Sequence, residues 1–191
     1  MGSPLPRAEE VDRLGARVQL AQPAQLARAR FAALAPALSL EGRALRHLAR
    51  REHSRAELER KLAAQVLRGV ASDEAAPLLE QIRRMLDELA ERGLLSDARA
   101  AESVLTSQQR RYGSRRIKQA LLAKGLAPDL VAATLQQSRA TELERARAVW
   151  RRRFGAPAPD AAGRARQARF LAARGFDADI VYRLVKGIQE D

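Results

Sequence analysis

The sequence predicts an all-α protein, three tandem three-helix repeats forming an elongated curved array, and three observations carry that prediction. Of 191 residues, 46% are hydrophobic but only 4% aromatic, so Ala, Leu and Val supply the apolar surface, as in close-packed helices. Helix start and stop signals punctuate the chain from Glu41 onward. A block of text also recurs: Leu121-Leu122-Ala123-Lys124-Gly125-Leu126 matches Leu171-Ala172-Ala173-Arg174-Gly175-Phe176. The match runs on through Asp129 with Asp179, Leu130 with Ile180 and Val131 with Val181.

In chain order, residues 1–40 read as a mobile extension, because Pro4, Pro6, Pro23 and Pro36 interrupt weak helical patterns. Repeat one spans 41–95. Ser54 with Glu57 has capping-box spacing, Leu58 and Leu62 align with Ile117 and Leu121 of the next unit, and Val66 stands where that unit has its glycine. Ile82, Met85, Leu86 and Leu89 form one helical stripe. Repeat two, 96–139, opens on Ser96 as an N-cap; Ser114 is the next N-cap, and Pro128 suits a first helical turn. Repeat three, 140–188, opens on a second capping box, Thr141 with Glu144, and carries the stripe Ala146, Val149, Trp150 and Phe154, with Asp177 as an N-cap. Gly93, Gly125 and Gly175 end helices, and Leu94, Leu126 and Phe176 after them should pack back on the preceding turn. About nine helices and no strand are expected after residue 41.

Composition excludes several functions. Cysteine is absent, which removes disulfides, thiolate metal sites and cysteine nucleophiles and fits a cytoplasmic protein. His47 and His53 are six apart, a poor spacing for two ligands on one helix face, so they read as surface or packing residues. No phosphate loop, nucleophile elbow or carboxylate cluster is present, so neither catalysis nor a cofactor is expected. No segment has the roughly 18 apolar residues that a membrane span needs.

Of the net charge of +12, nine charges fall from Gly93 onward, which points to a polyanionic partner held by a salt-screened attraction. Arg110, Arg111, Arg115, Arg116 and Lys118 surround the break at Tyr112-Gly113. Arg145, Arg147, Arg151, Arg152 and Arg153 ride the Trp150 helix, with Arg145 and Arg152 on its outer face. Guanidinium forks bind phosphate or carboxylate through two hydrogen bonds, so nucleic acid and an acidic protein surface both suit them. Trp150 and Phe154 read as core rather than as base-stacking platforms.

Five stretches, in order, resemble signatures of the RecX family. They are Ala44 to Leu58, Gly93 to Arg99, Arg111-Tyr112-Gly113-Ser114-Arg115-Arg116-Ile117, Leu121 to Gly125, and Arg169-Phe170-Leu171-Ala172-Ala173-Arg174-Gly175-Phe176. The similarity covers Arg43 to Gly187; Ala100, where the family usually has Phe, and Val66 depart from the pattern, and residues 1–40 have no counterpart. The resemblance implies three tandem three-helix repeats, no cofactor, and a monomer that binds the RecA filament on DNA. There it would restrain ATP hydrolysis, strand exchange and coprotease activity in DNA repair and the SOS response. DNA contact is expected to be weak and non-specific. Other classes compatible with the residues are a helix-turn-helix DNA-binding regulator with its turn at Gly125, and an RNA-associated basic protein.

Overall fold

A computed structural model describes residues 38–68 and 71–187; the extension read over residues 1–40 lies almost wholly outside the described residues. Nine helices and no strand occur among them: α1 (Leu40–Leu48), α2 (Arg55–Val66), α3 (Ser72–Glu91), α4 (Asp97–Gln108), α5 (Ser114–Ala123), α6 (Pro128–Arg139), α7 (Glu142–Phe154), α8 (Ala161–Ala173) and α9 (Ala178–Lys186). They group in threes, each three around its own apolar centre.

The first centre packs Ala44, Leu58 and Leu62 against Ile82, Leu86, Leu89 and Leu95. The second gathers Ala101, Val104, Ile117, Leu121, Leu126, Val131 and Leu135. The third closes Ala146, Trp150, Leu171, Phe176, Val181, Leu184 and Val185; Phe154 and Phe170 pack on it, their own rings 5.0 Å apart and edge to face. The Trp150 indole N–H donates to Gln167 at 3.2 Å, and Gln167 donates to the Ala156 carbonyl at 2.9 Å, so the polar atoms of this ring and its neighbour are satisfied.

Local signals act mostly as read. Ser54, Ser96 and Asp177 accept from the backbone amides of Glu57, Arg99 and Asp179, and Pro128 opens α6. Gly93, Gly125 and Gly175 all have positive φ. Three expectations are corrected. Thr141 makes no capping bond to the backbone; its hydroxyl instead accepts from Arg145 at 3.3 Å. Gly113, not Ser114, is the N-cap of α5, which frees the Ser114 amide and hydroxyl to reach the Glu142 carboxylate. Leu94 is exposed, and the residue that packs back is Leu95, because both backbone amides bond to the Leu89 carbonyl and only the second side chain turns inward.

Neighbouring repeats meet by the same device. The first amide of each middle helix is capped by the carboxylate that opens the next repeat: Arg55 N–H donates to Asp97 at 2.8 Å, and Ser114 N–H to Glu142 at 2.9 Å. Each carboxylate thus faces the positive end of a helix dipole. Glu142, 3% exposed, also accepts from the Asp177 amide at 3.3 Å and so ties together the starts of α5, α7 and α9. The middle helix of repeat three, α8, is capped instead by its own Asp160 through the Gly163 amide.

The two joints differ in kind. Between repeats one and two the links run through side chains: Ser54 and Arg60 donate to the carbonyls of Lys124 and Ala123, Glu57 pairs with Lys124, and Glu52 with Arg99. Between repeats two and three, backbone meets backbone. Gly113 N–H donates to the Arg174 carbonyl and Arg115 N–H to that of Gly175, both at 3.0 Å. Only a missing side chain allows that approach, since a Cβ on Gly113 would collide with the Phe176 backbone and one on Gly175 would lie 2.5 Å from the Arg116 nitrogen.

Candidate functional site

Where α4 ends and α7 and α8 pass it, a cavity of about 850 Å³ opens between repeats two and three. Its lining joins the two arginine clusters: Arg110 and Arg111 after α4, Arg145, Arg152 and Arg153 on α7, and Arg174 at the end of α8. Ser107, Tyr112, Ala148, Val149 and Phe170 complete it. Among the described residues no carboxylate lines the cavity. Spacing alone could not join these groups, because they come from elements far apart in the chain.

Arg145 is not an outer-face residue. Its guanidinium donates to the carbonyls of Gln109 (2.7 Å), Tyr112 (3.1 Å) and Ser138 (2.7 Å), to the Ser138 hydroxyl (2.6 Å) and to Thr141. All five N–H groups are spent, so this arginine holds α4, α6 and α7 together and has no donor left for a partner. Burial lowers its pKa, partly opposed by the Glu142 charge.

The other arginines keep their capacity. Arg110, Arg111, Arg152 and Arg153 are exposed and form no ion pair with a described residue. Arg116 lies 4.4 Å over the Tyr112 ring and Arg174 3.7 Å over that of Phe170, which orders both guanidinium planes. Arg116 borders a second groove of about 720 Å³ with Arg111 and Gln119, while Arg147 and Arg151 border a depression of about 250 Å³ beside Trp150 and Pro157. Arg115, Lys118 and Arg169 are exposed and line none of these three cavities. Among the remaining motif residues, Leu171 and Phe176 are core, and Tyr112, Gly113 and Gly175 build the joint between repeats two and three.

Repeat one treats its charges differently. Arg51, Lys61 and Lys124 converge on Glu57, Arg55 and Arg83 on Glu59, and Arg92 on Glu41. Burial by itself raises the Glu57 carboxyl, but hydrogen bonds from Arg51 and Lys124 outweigh it and hold the group well below the usual carboxylate range. His53, 2% exposed, bonds to the Arg51 carbonyl and faces Lys61; burial lowers its pKa. Lys124 and Gly125 therefore serve this joint. The turn at Gly125 abuts α2, where a Cβ would lie 2.7 Å from that of Ala56.

Sequence reading missed Glu142, Ser138 and Ala148, and gave Val149 only a place in the Trp150 stripe. Nothing local marks a glutamate as a cap for more than one helix, or an alanine as part of a cavity lining.

Comparisons with known proteins agree on one family. Residues 96–135 match the domain described as RecX, second three-helix domain, and residues 140–185 match RecX, third three-helix domain. A protein of Leptothrix cholodnii named regulatory protein RecX is 50% identical over 151 residues, 79% of this chain and 90% of that one. One of the same name from Ralstonia nicotianae is 44% identical over 150 residues, covering 78% and 88%. The crystal structure of RecX from Lactobacillus salivarius superposes with a TM-score of 0.62 at 19% identity, covering 78% of this chain and 94% of that one, which speaks for the fold alone.

Proposed function

The chain belongs to the RecX family of regulatory proteins, and from that premise we propose that it binds the RecA filament on DNA and restrains its ATP hydrolysis, strand exchange and coprotease activity. It acts by binding and not by catalysis, as a cytoplasmic monomer, without a cofactor, and touches DNA weakly and without sequence preference. The observation that supports this most is the uneven use of charge. In repeat one Arg51, Arg55, Arg83, Arg84 and Arg92 form ion pairs, whereas Arg110, Arg111, Arg115, Arg116, Arg147, Arg151, Arg152 and Arg153 have no such partner among the described residues. This much unpaired positive charge, most of it exposed, suits a large anionic assembly.

The test is titration into DNA-stimulated RecA ATPase. The wild-type chain should inhibit, and Arg151→Glu with Arg152→Glu should weaken inhibition while shifting stability by no more than about 0.5 kcal/mol, as for other exposed positions. Undiminished inhibition by that double variant would remove this cluster from the contact. The matched pair at Arg115 and Arg116 then reports on repeat two.

A further inference from the structure

We propose that the cavity between repeats two and three is a docking groove for an acidic, partly apolar segment of a partner protein. This deepens the filament reading and rests on it for the partner's being a protein. The cavity asks for negative charge, since Arg110, Arg111, Arg152 and Arg153 line it and no carboxylate does among the described residues. Guanidinium forks grip carboxylates through paired hydrogen bonds.

Charge alone does not describe it, because Ala148, Val149 and Phe170 place apolar surface among those cations. A nucleic-acid strand would use such a groove by stacking bases on free aromatic faces. Here the rings are already engaged: Arg116 covers Tyr112, while Phe170 carries Arg174 on one side and the edge contact with Phe154. What remains open is aliphatic surface between cations, which matches a segment carrying Leu or Phe side chains between Asp and Glu. The groove is also preformed, because Arg145, which lines it, ties α4, α6 and α7 together through five bonds before anything binds. A volume of about 850 Å³ accommodates a few residues of such a segment.

Fluorescence anisotropy with the full chain tests this. The probe is a labelled peptide Glu-Asp-Leu-Phe-Glu-Asp-Leu-Glu, compared with pentaglutamate and with a hexathymidylate of equal charge. The peptide should bind about 10-fold tighter than either control. Arg152→Glu with Arg153→Glu, and separately Ala148→Asp, should each weaken peptide binding about 10-fold or more with unchanged melting. Equal binding of peptide and pentaglutamate, tighter binding of hexathymidylate, no binding of the peptide, or indifference to either variant would each overturn the proposal. Peptide binding that depends on these residues, in a chain that leaves RecA ATPase untouched, would uphold the groove and sink only the filament reading.

Discussion

Arg145 and Arg152 sit two turns apart on α7 and border the same cavity, yet their surroundings give them opposite roles. The first meets the last carbonyls of α4 and α6 and is consumed by them; the second meets solvent. Replacing Arg145 with Met should strand three carbonyls and cost roughly 2–3 kcal/mol, read as a lower urea midpoint, while Arg152→Glu should move that midpoint very little. Gly175 is constrained twice, by a φ of +77° and by the Arg116 backbone against it, so Gly175→Ala should cost roughly 2 kcal/mol or more and lower the melting temperature. The glycine was legible as a helix stop. That it is also the seat of the neighbouring repeat was not, because its partners Gly113 and Arg116 lie far earlier in the chain.

At the scale of elements, two joints with one capping device differ in what else holds them. Backbone bonds and Arg145 lock repeat three to repeat two, whereas repeat one is held to repeat two through side chains, among them Glu57, beside which His53 is buried inside repeat one; both groups titrate. Both groups have folded pKa values below their unfolded ones. For each, the folded state binds fewer protons, so its contribution is complete above the unfolded value and is lost as pH falls towards the folded one. His53 therefore begins to weaken repeat one below about pH 6.5, and Glu57 below about pH 4.3. Thermal melts from pH 7 to pH 4 should show the wild type losing stability. Glu57→Gln should start lower at pH 7 and lose less below pH 5; an unchanged slope in that variant would show that this carboxylate does not set the acid response.

Across the whole described chain, charge and neutralisation are distributed in opposite senses. Repeat one is rich in both signs and pairs Arg51, Arg55, Lys61, Arg83, Arg84 and Arg92 with carboxylates, while the later repeats carry most of the excess and use carboxylates such as Glu142, Asp160 and Asp177 as helix caps. The open arginines lack any base-reading arrangement, so DNA binding should be indifferent to sequence and fall steeply between about 50 and 200 mM salt. Anisotropy with two unrelated duplexes across that range checks both points. Salt-insensitive binding to one defined site would instead favour a helix-turn-helix reader.

Helix positions, the tandem repeat and the family were determined by the sequence itself, because caps, stops and apolar stripes act over three or four residues and leave their spacing in the text. Ser54, Pro128, Gly125 and the Trp150 stripe could all be read in this way. The groove, and which arginines remain free to serve it, was decided only by the tertiary structure. Whether a guanidinium is consumed depends on which carbonyls come within about 3 Å of it, and those of Arg145 belong to Gln109 and Tyr112, 36 and 33 residues away. No local pattern carries that distance, so Arg145 and Arg152 look alike in the sequence until the chain has folded.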